Sequence, residues 1–221
     1  MNAIYKSTEA KRAIYKGQAD KIISILKKRN MDGAYFEDTK EAISEICKMI
    51  PKGSLVGLGG SETIIDSGLI DQLRTMDINL LDRYIEGVSR ERINEMRREG
   101  LLSDVFIASS NAITLDGKLV NMDGIGNRVA CMIYGPQKVI LMVGMNKVVK
   151  GVPEAIARIK VTAAPQDAVR VNVPTPCSKT GICQDPDCYP PNRICSQLSI
   201  IESSMIPNRI FVVLTAEEFG F

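Results

Sequence analysis

Histidine is absent from the 221 residues, and so is tryptophan. Without histidine there is no Ser-His-Asp or Cys-His machinery, no imidazole metal ligand and no histidine general base. Acid–base chemistry therefore falls to Asp, Glu, Lys, Tyr or Cys, and a protein-bound metal must take sulfur or oxygen ligands. Four of the six cysteines (Cys177, Cys183, Cys188 and Cys195) crowd into one short segment, separated by gaps of five, four and six residues. Such clustering points to a metal or cluster ahead of disulfides. The gaps are wider than the paired C-x2-C knuckles of structural zinc, whereas iron–sulfur clusters tolerate irregular loops. An iron–sulfur cluster is therefore expected ahead of zinc, with disulfides or free thiols as the other reading. Residues 174–195 also hold five of the ten prolines. A loop of that composition cannot order itself by burial, and thiolate ligation would supply the constraint. Cys47 and Cys131 stand singly in apolar helical patterns and read as core.

Three further constellations could bind an anion. In Val56-Gly57-Leu58-Gly59-Gly60-Ser61 a strand ends in glycines and opens a helix, leaving backbone N–H groups aimed outward. Gly57, Gly59, Gly60 and Ser61 are candidate ligands, and the plainer reading is a tight strand-to-helix turn. The run matches neither the dinucleotide fingerprint nor the P-loop. Asn111 and Thr114 follow an apolar strand, where polar side chains either meet a ligand or satisfy strand-end backbone. Asp116-Gly117 reads as a hairpin turn. Asp123 and Asn127 bracket a glycine-rich turn before a helix that carries Arg128 at its start. Arginine there opposes the helix dipole, so it calls for an anion or an acidic side chain. Asp123 is the candidate catalytic base, tunable upward by burial and downward by Arg128. Asn146 and Lys147 add a second cation beyond another strand, a solvated lysine being the plainer alternative.

These residues need elements to position them. Helical periodicity marks 7–29, 39–49, 62–73, 89–99, 126–134 and a helix beginning at 154. Short apolar runs mark strands at 34–36, 54–58, 79–81, 104–108, 137–143 and 209–214, and 113–122 reads as a hairpin. The alternation predicts an α/β fold with a mainly parallel sheet flanked by helices, the hairpin as an insertion and a Cys-rich C-terminal loop. Segments 55–58, 105–108 and 139–143 should be central strands, with ligand-binding loops at their carboxyl ends. A net charge of +2, with 45% hydrophobic and 24% charged residues, describes an ordinary globular chain. It offers no basic stripe for nucleic acid, no membrane-spanning run and no targeting segment, so a cytoplasmic protein is expected.

The runs VGLGGSETI, SDVFIASSNAITLDGKLVNMDGIGNRVACMIYGPQKVILMVG, NKVV and TPC…TGIC…C…NRIC resemble the LUD-domain family, named for lactate utilisation. The resemblance covers most of residues 1–221, as a single domain. It implies a fold like that of the ribose-phosphate isomerase, glucosamine-phosphate deaminase and CoA-transferase group. It also implies that the Gly57–Ser61 turn, the Asn111–Thr114 loop, Asp116, the Asn121–Arg128 turn, Asn146 and Lys147 line one pocket. The expected ligand is a small hydroxy- or oxo-carboxylate and the expected partners are iron–sulfur redox subunits, with a homo-oligomer left open. Two alternatives stand beside it. One is an independent isomerase- or CoA-transferase-type enzyme with Asp123 or Glu62 as base, the other a non-catalytic, anion-sensing subunit.

Overall fold

The computed structural model describes residues 7–221. Its strands in chain order are β1 (Asp32–Phe36), β2 (Leu55–Leu58), β3 (Asn79–Leu81), β4 (Val105–Ala108), β5 (Ala112–Thr114), β6 (Leu119–Asp123), β7 (Lys138–Gly144), β8 (Val148–Val149), β9 (Gln197–Ile201) and β10 (Ile210–Thr215). Six of them form a wholly parallel sheet in the order β1-β10-β7-β4-β2-β3. A parallel sheet is covered on both faces, which explains the continuous apolar runs at its centre. On β7, Val139, Leu141 and Val143 face one layer and Ile140 and Met142 the other, as strand alternation requires. The first layer is closed by helix α1 (Ser7–Lys28) through Ala19, Ile22 and Leu26. The second is closed by α2 (Thr39–Lys48), capped by the Asp38 side chain, and by α3 (Glu62–Asp66) and α4 (Leu69–Arg74).

The expected central strands are strands. β4 and β7 lie in the middle and β2 one place further out, beside the short edge strand β3. Three expectations need correction. The helix read over 62–73 is broken at Gly68, whose φ of +79° ends one helix and starts the next. The hairpin forms, with Ala112 opposite Val120 and Ile113 opposite Leu119, but it is no isolated insertion. It is the middle of a second sheet, ordered β8-β5-β6-β9. β9 (Gln-Leu-Ser-Ile-Ile) was not read as a strand from the sequence, and its Leu198 and Ile200 side chains are exposed. Segment 174–195 is not wholly irregular either, since Pro176–Thr180 is a short helix capped by Thr175.

With α5 (Arg90–Glu99) following β3 and α6 (Asn127–Ile133) following β6, the next helices are α7 (Val152–Arg158) and α8 (Ala164–Arg170). They are joined by a π-helical turn, Ile159–Ala163, ahead of Pro165, which has no N–H to give a regular helix. This bent helix faces the carboxyl ends of β2, β4 and β7. Among the described residues no helix is long and apolar enough to cross a membrane.

Ile107 of β4 is fully buried between β2 and β7. Ile107→Ala is expected to lower the unfolding free energy by about 2–5 kcal/mol in urea denaturation. Leu102→Ala, at a side chain 83% exposed, is the matched control and should change it by less than ~0.5 kcal/mol.

Candidate functional site

Arg128 opens α6 and is buried, as is Asp123 at the end of β6. The glycine-rich turn between them brings Asp123 back over the helix start. One carboxylate oxygen accepts from the Arg128 and Val129 backbone N–H groups at 3.0 and 3.1 Å. The other accepts from Arg128 Nε at 2.9 Å and Nη2 at 2.7 Å. The acidic partner that the sequence demanded for Arg128 is therefore Asp123. The rest of the guanidinium is also occupied. Nη1 donates to the Ser109 carbonyl at 2.8 Å and to Asn121 Oδ1 at 2.9 Å, and Nη2 to Asn111 Oδ1 at 2.6 Å. All five N–H donors of the side chain are thus used within the chain. The donors of Arg128 and both oxygens of Asp123 are thus engaged with partners inside the chain.

A cavity of about 460 Å3 opens beside this pair. Gly60, Ser61, Asn111, Asn127, Arg128, Lys147 and Asp123 of the expected set all line it. The other candidates lie outside its walls. Gly57 packs against Phe106 and Ser103, and a Cβ on Gly59 would come within 2.7 Å of Ala108 Cβ. Thr114 and Asp116 bond each other in the hairpin turn, where Asp116 meets Lys118 and Arg29. Asn146 lies behind Lys147, with its carbonyl taken by Arg158. Glu62, the second carboxylate considered as a base, lines the cavity but is ion-paired with Arg170 at 2.9 Å. The turn after β2 spends its polar groups internally as well. The Gly59 N–H donates to Ile107, the Ser61 N–H donates to the Tyr84 hydroxyl, and that hydroxyl donates to the Gly59 carbonyl. The Ser61 side chain makes no cap hydrogen bond.

Lys147 also lines the cavity, without a carboxylate partner among the described residues. A short helical turn, Met145–Lys147, carries it inward from the end of β7, and it is only 4% exposed. Its Nζ donates to Thr63 Oγ1 at 2.7 Å and to Ser109 Oγ at 3.3 Å, both neutral. Burial, with Arg158 and Arg128 nearby, brings its pKa down to about 7 against the weak opposing pull of Asp66. The expectation of a fixed cation here becomes an amine able to take up or give a proton near neutrality.

Sequence reasoning missed the arginines. Arg83, Arg90, Arg97 and Arg170 all line the cavity. The signal available was five arginines between residues 83 and 98, but on a helix with no buried residue that pattern reads as a solvated face.

The four clustered cysteines are free thiols that line one further pocket, of about 20 Å3, with Lys160, Asp185 and Arg193. Among the described residues no group of three or more His, Cys, Asp or Glu side chains is drawn together closely enough to hold a metal ion. Burial raises the Cys195 thiol pKa to about 11, and Cys177 and Cys183 push it the same way. Ala164, Ile194 and Cys195 line both this pocket and the larger cavity.

Two outcomes follow from the buried charges. Arg128→Met strands the Asp123 carboxylate and should cost about 3–5 kcal/mol of stability in urea unfolding, with part recovered when Asp123→Leu is added. Lys147 holds its proton less tightly folded than unfolded. The unfolded chain therefore binds more protons between about pH 7 and 10.5, and stability rises with pH across that window. Below the window the cost of burying the charge is fully present. Urea melts of the native protein and Lys147→Met across this range should show the rise in the first and its absence in the second.

A model of the LUD domain matches residues 19–215. No curated protein matches the chain. Among solved structures the chain is similar to the crystal structure of a DUF162 family protein from Deinococcus radiodurans, at 14% identity and a TM-score of 0.50. That likeness covers 92% of this chain and 97% of the other, and at such identity it speaks for the fold alone. With the LUD model spanning the parallel sheet, the cavity and the cysteine loop, the chain belongs to the LUD-domain family.

Proposed function

We propose that the protein binds a small hydroxy- or oxo-carboxylate in the cavity at the strand ends and works with iron–sulfur redox partners in lactate utilisation. The observation that carries this reading is the shared wall: Ala164, Ile194 and Cys195 separate the cavity from the pocket of four thiols. A site for an organic anion thus abuts a site with the ligand set of a redox centre.

Cys177, Cys183, Cys188 and Cys195 would hold the cluster, which would supply one-electron transfer. Their donor set fits: four reduced thiols in a histidine-free chain, around one apolar pocket. A single ion needs four sulfurs at about 2.3 Å, tighter than the placement here provides. Holding a cluster would require the four thiols to draw closer together than they stand here. Lys147 is suited to the substrate hydroxyl or carbonyl, because an amine with a pKa of about 7 can hold or release a proton there. Ser61 and Asn111 lie on the same walls to orient the carboxylate. Both carboxylates considered as bases, Asp123 and Glu62, are tied up by arginines. That disfavours an isomerase-type carboxylate base and leaves Lys147 as the proton-handling group.

Protein purified without oxygen should show broad visible absorption that bleaches with dithionite, with iron by metal analysis, and Cys188→Ser should lose most of both. Pyruvate and lactate should raise the melting temperature of the native protein but not of Lys147→Met, since a ligand selective for the native state stabilises it. Zinc without visible absorption would end the redox reading. Metal-free protein, or protein with two disulfides after anaerobic handling, would end the cluster reading as a whole.

A further inference from the structure

The cavity carries more positive charge than a hydroxy acid can use. Arg90 and Arg97 are seven residues apart on α5, two turns along the same face, and that face lines the cavity. Arg83 joins them from the loop after β3, packed so closely over Gly60 that a Cβ there would collide with its guanidinium. Arg83 lies against the Tyr84 ring, and Arg97 donates to Asn94. Among the described residues, none of the three forms an ion pair with a carboxylate. The helix does not lack acids, because Arg92 on the same helix pairs with both Glu95 and Glu99. Arg97 Nε is buried with no hydrogen-bond partner. Arg90 opens α5, where a cation opposes the helix dipole. Burial and the charges of Arg83 and Arg90 together hold the Arg97 pKa down. Three cations kept near one another without counter-charge leave a place for an anion.

Volume gives a second, independent indication. Cavities of roughly 300–1,000 Å3 take ligands of drug size, and this one measures about 460 Å3. A small hydroxy acid at Lys147 would leave most of it to water.

We propose that Arg83, Arg90 and Arg97 form a phosphate subsite, so that the ligand is a phosphorylated hydroxy- or oxo-acid spanning from these arginines to Lys147. The inference rests on the carboxylate-binding reading above and names its substrate class. Planar guanidinium forks match phosphate oxygens, and three of them would neutralise the dianion that a buried lysine near its pKa cannot.

Isothermal titration of the full chain with matched pairs tests it: phosphoenolpyruvate against pyruvate, and phosphoglycerate against glycerate, with ADP and inorganic phosphate alongside. Each phosphorylated acid should bind at least ~10-fold more tightly than its parent, and Arg90→Gln and Arg97→Gln should each reduce that preference by about 10-fold. Arg90 is exposed, so its variant keeps the test independent of folding. Equal affinity within each pair, or a preference unmoved by both variants, overturns the phosphate subsite and leaves the carboxylate reading standing. Binding of inorganic phosphate with no binding of any acid overturns the carboxylate reading while the arginine subsite stands. ADP bound more tightly than every acid would assign the subsite to a nucleotide and overturn the proposed acid.

Discussion

The buried pair of Arg128 and Asp123 is the interaction on which the site depends. Taking a guanidinium and a carboxylate out of water costs several kcal/mol per ion, recovered only if every donor and lone pair finds a partner. Here they do, and the partners come from separate elements: the Ser109 carbonyl beyond β4, Asn111 before β5, Asn121 and Asp123 on β6, and the first turn of α6. One side chain thereby fastens the second sheet to the carboxyl ends of the first. Asn111 adds to the same joint, its N–H donating to Asn121 and its Oδ1 accepting from the Met122 N–H. The cavity wall is therefore set in part by a cation whose partners all lie within the chain.

Lys147 is the complementary case. It lies in the same layer and is as deeply buried, but its hydrogen bonds go to the hydroxyls of Thr63 and Ser109 rather than to a carboxylate. Arginine cannot shed its proton and so must be paired; lysine can, and answers burial by neutralising. The two are linked through Ser109, whose carbonyl accepts from Arg128 and whose hydroxyl accepts from Lys147. The rigid pair fixes the serine, and the serine fixes the amine. Two cations that look alike in sequence thus divide by the partners they meet, one bound to a carboxylate and the other held by two hydroxyls with its pKa lowered.

Much of the fold was legible in the sequence because central strands must be apolar on both faces. VFIA at β4 and the run Val139–Val143 within β7 declare themselves by composition alone, and Asp38 declares α2 by its capping chemistry. β9 was not read from the sequence: its Leu-Ser-Ile-Ile run is short and breaks the alternation at Ile201, and only its pairing with the hairpin marks it as a strand. At the candidate site, several of the expected residues meet at one cavity, but the partners they take were not legible. An arginine at a helix start requires an anion, but sequence cannot say whether that anion is a ligand or an aspartate five residues back. Nor can it distinguish Arg90 and Arg97, which face a cavity, from Arg92, which is neutralised on its own helix. Thr114 and Asp116 follow a strand in sequence but are carried away by the hairpin, a displacement that only the second sheet reveals.

The cysteine loop obeys the logic of the Arg128 hub, one layer further out. A proline-rich segment with little apolar content was expected to need a metal for its order. It has another source of order in Arg193, which donates to the Cys188 and Cys195 carbonyls, both at 2.7 Å, and to Asp185 at 2.8 Å. Lys160, in the π-helical turn, holds Asp185 from the other side at 2.6 Å. These partly exposed ion pairs are screened by water and hold weakly, so they bias a short loop without bringing four thiols around a single ion. Burial raises the Cys188 and Cys195 thiols above their ordinary range, so a metal bound there would have to displace their protons. Lys160 belongs to the turn that also supplies Ile159 and Ala163 to the cavity, so the cysteine loop and the cavity wall share one element.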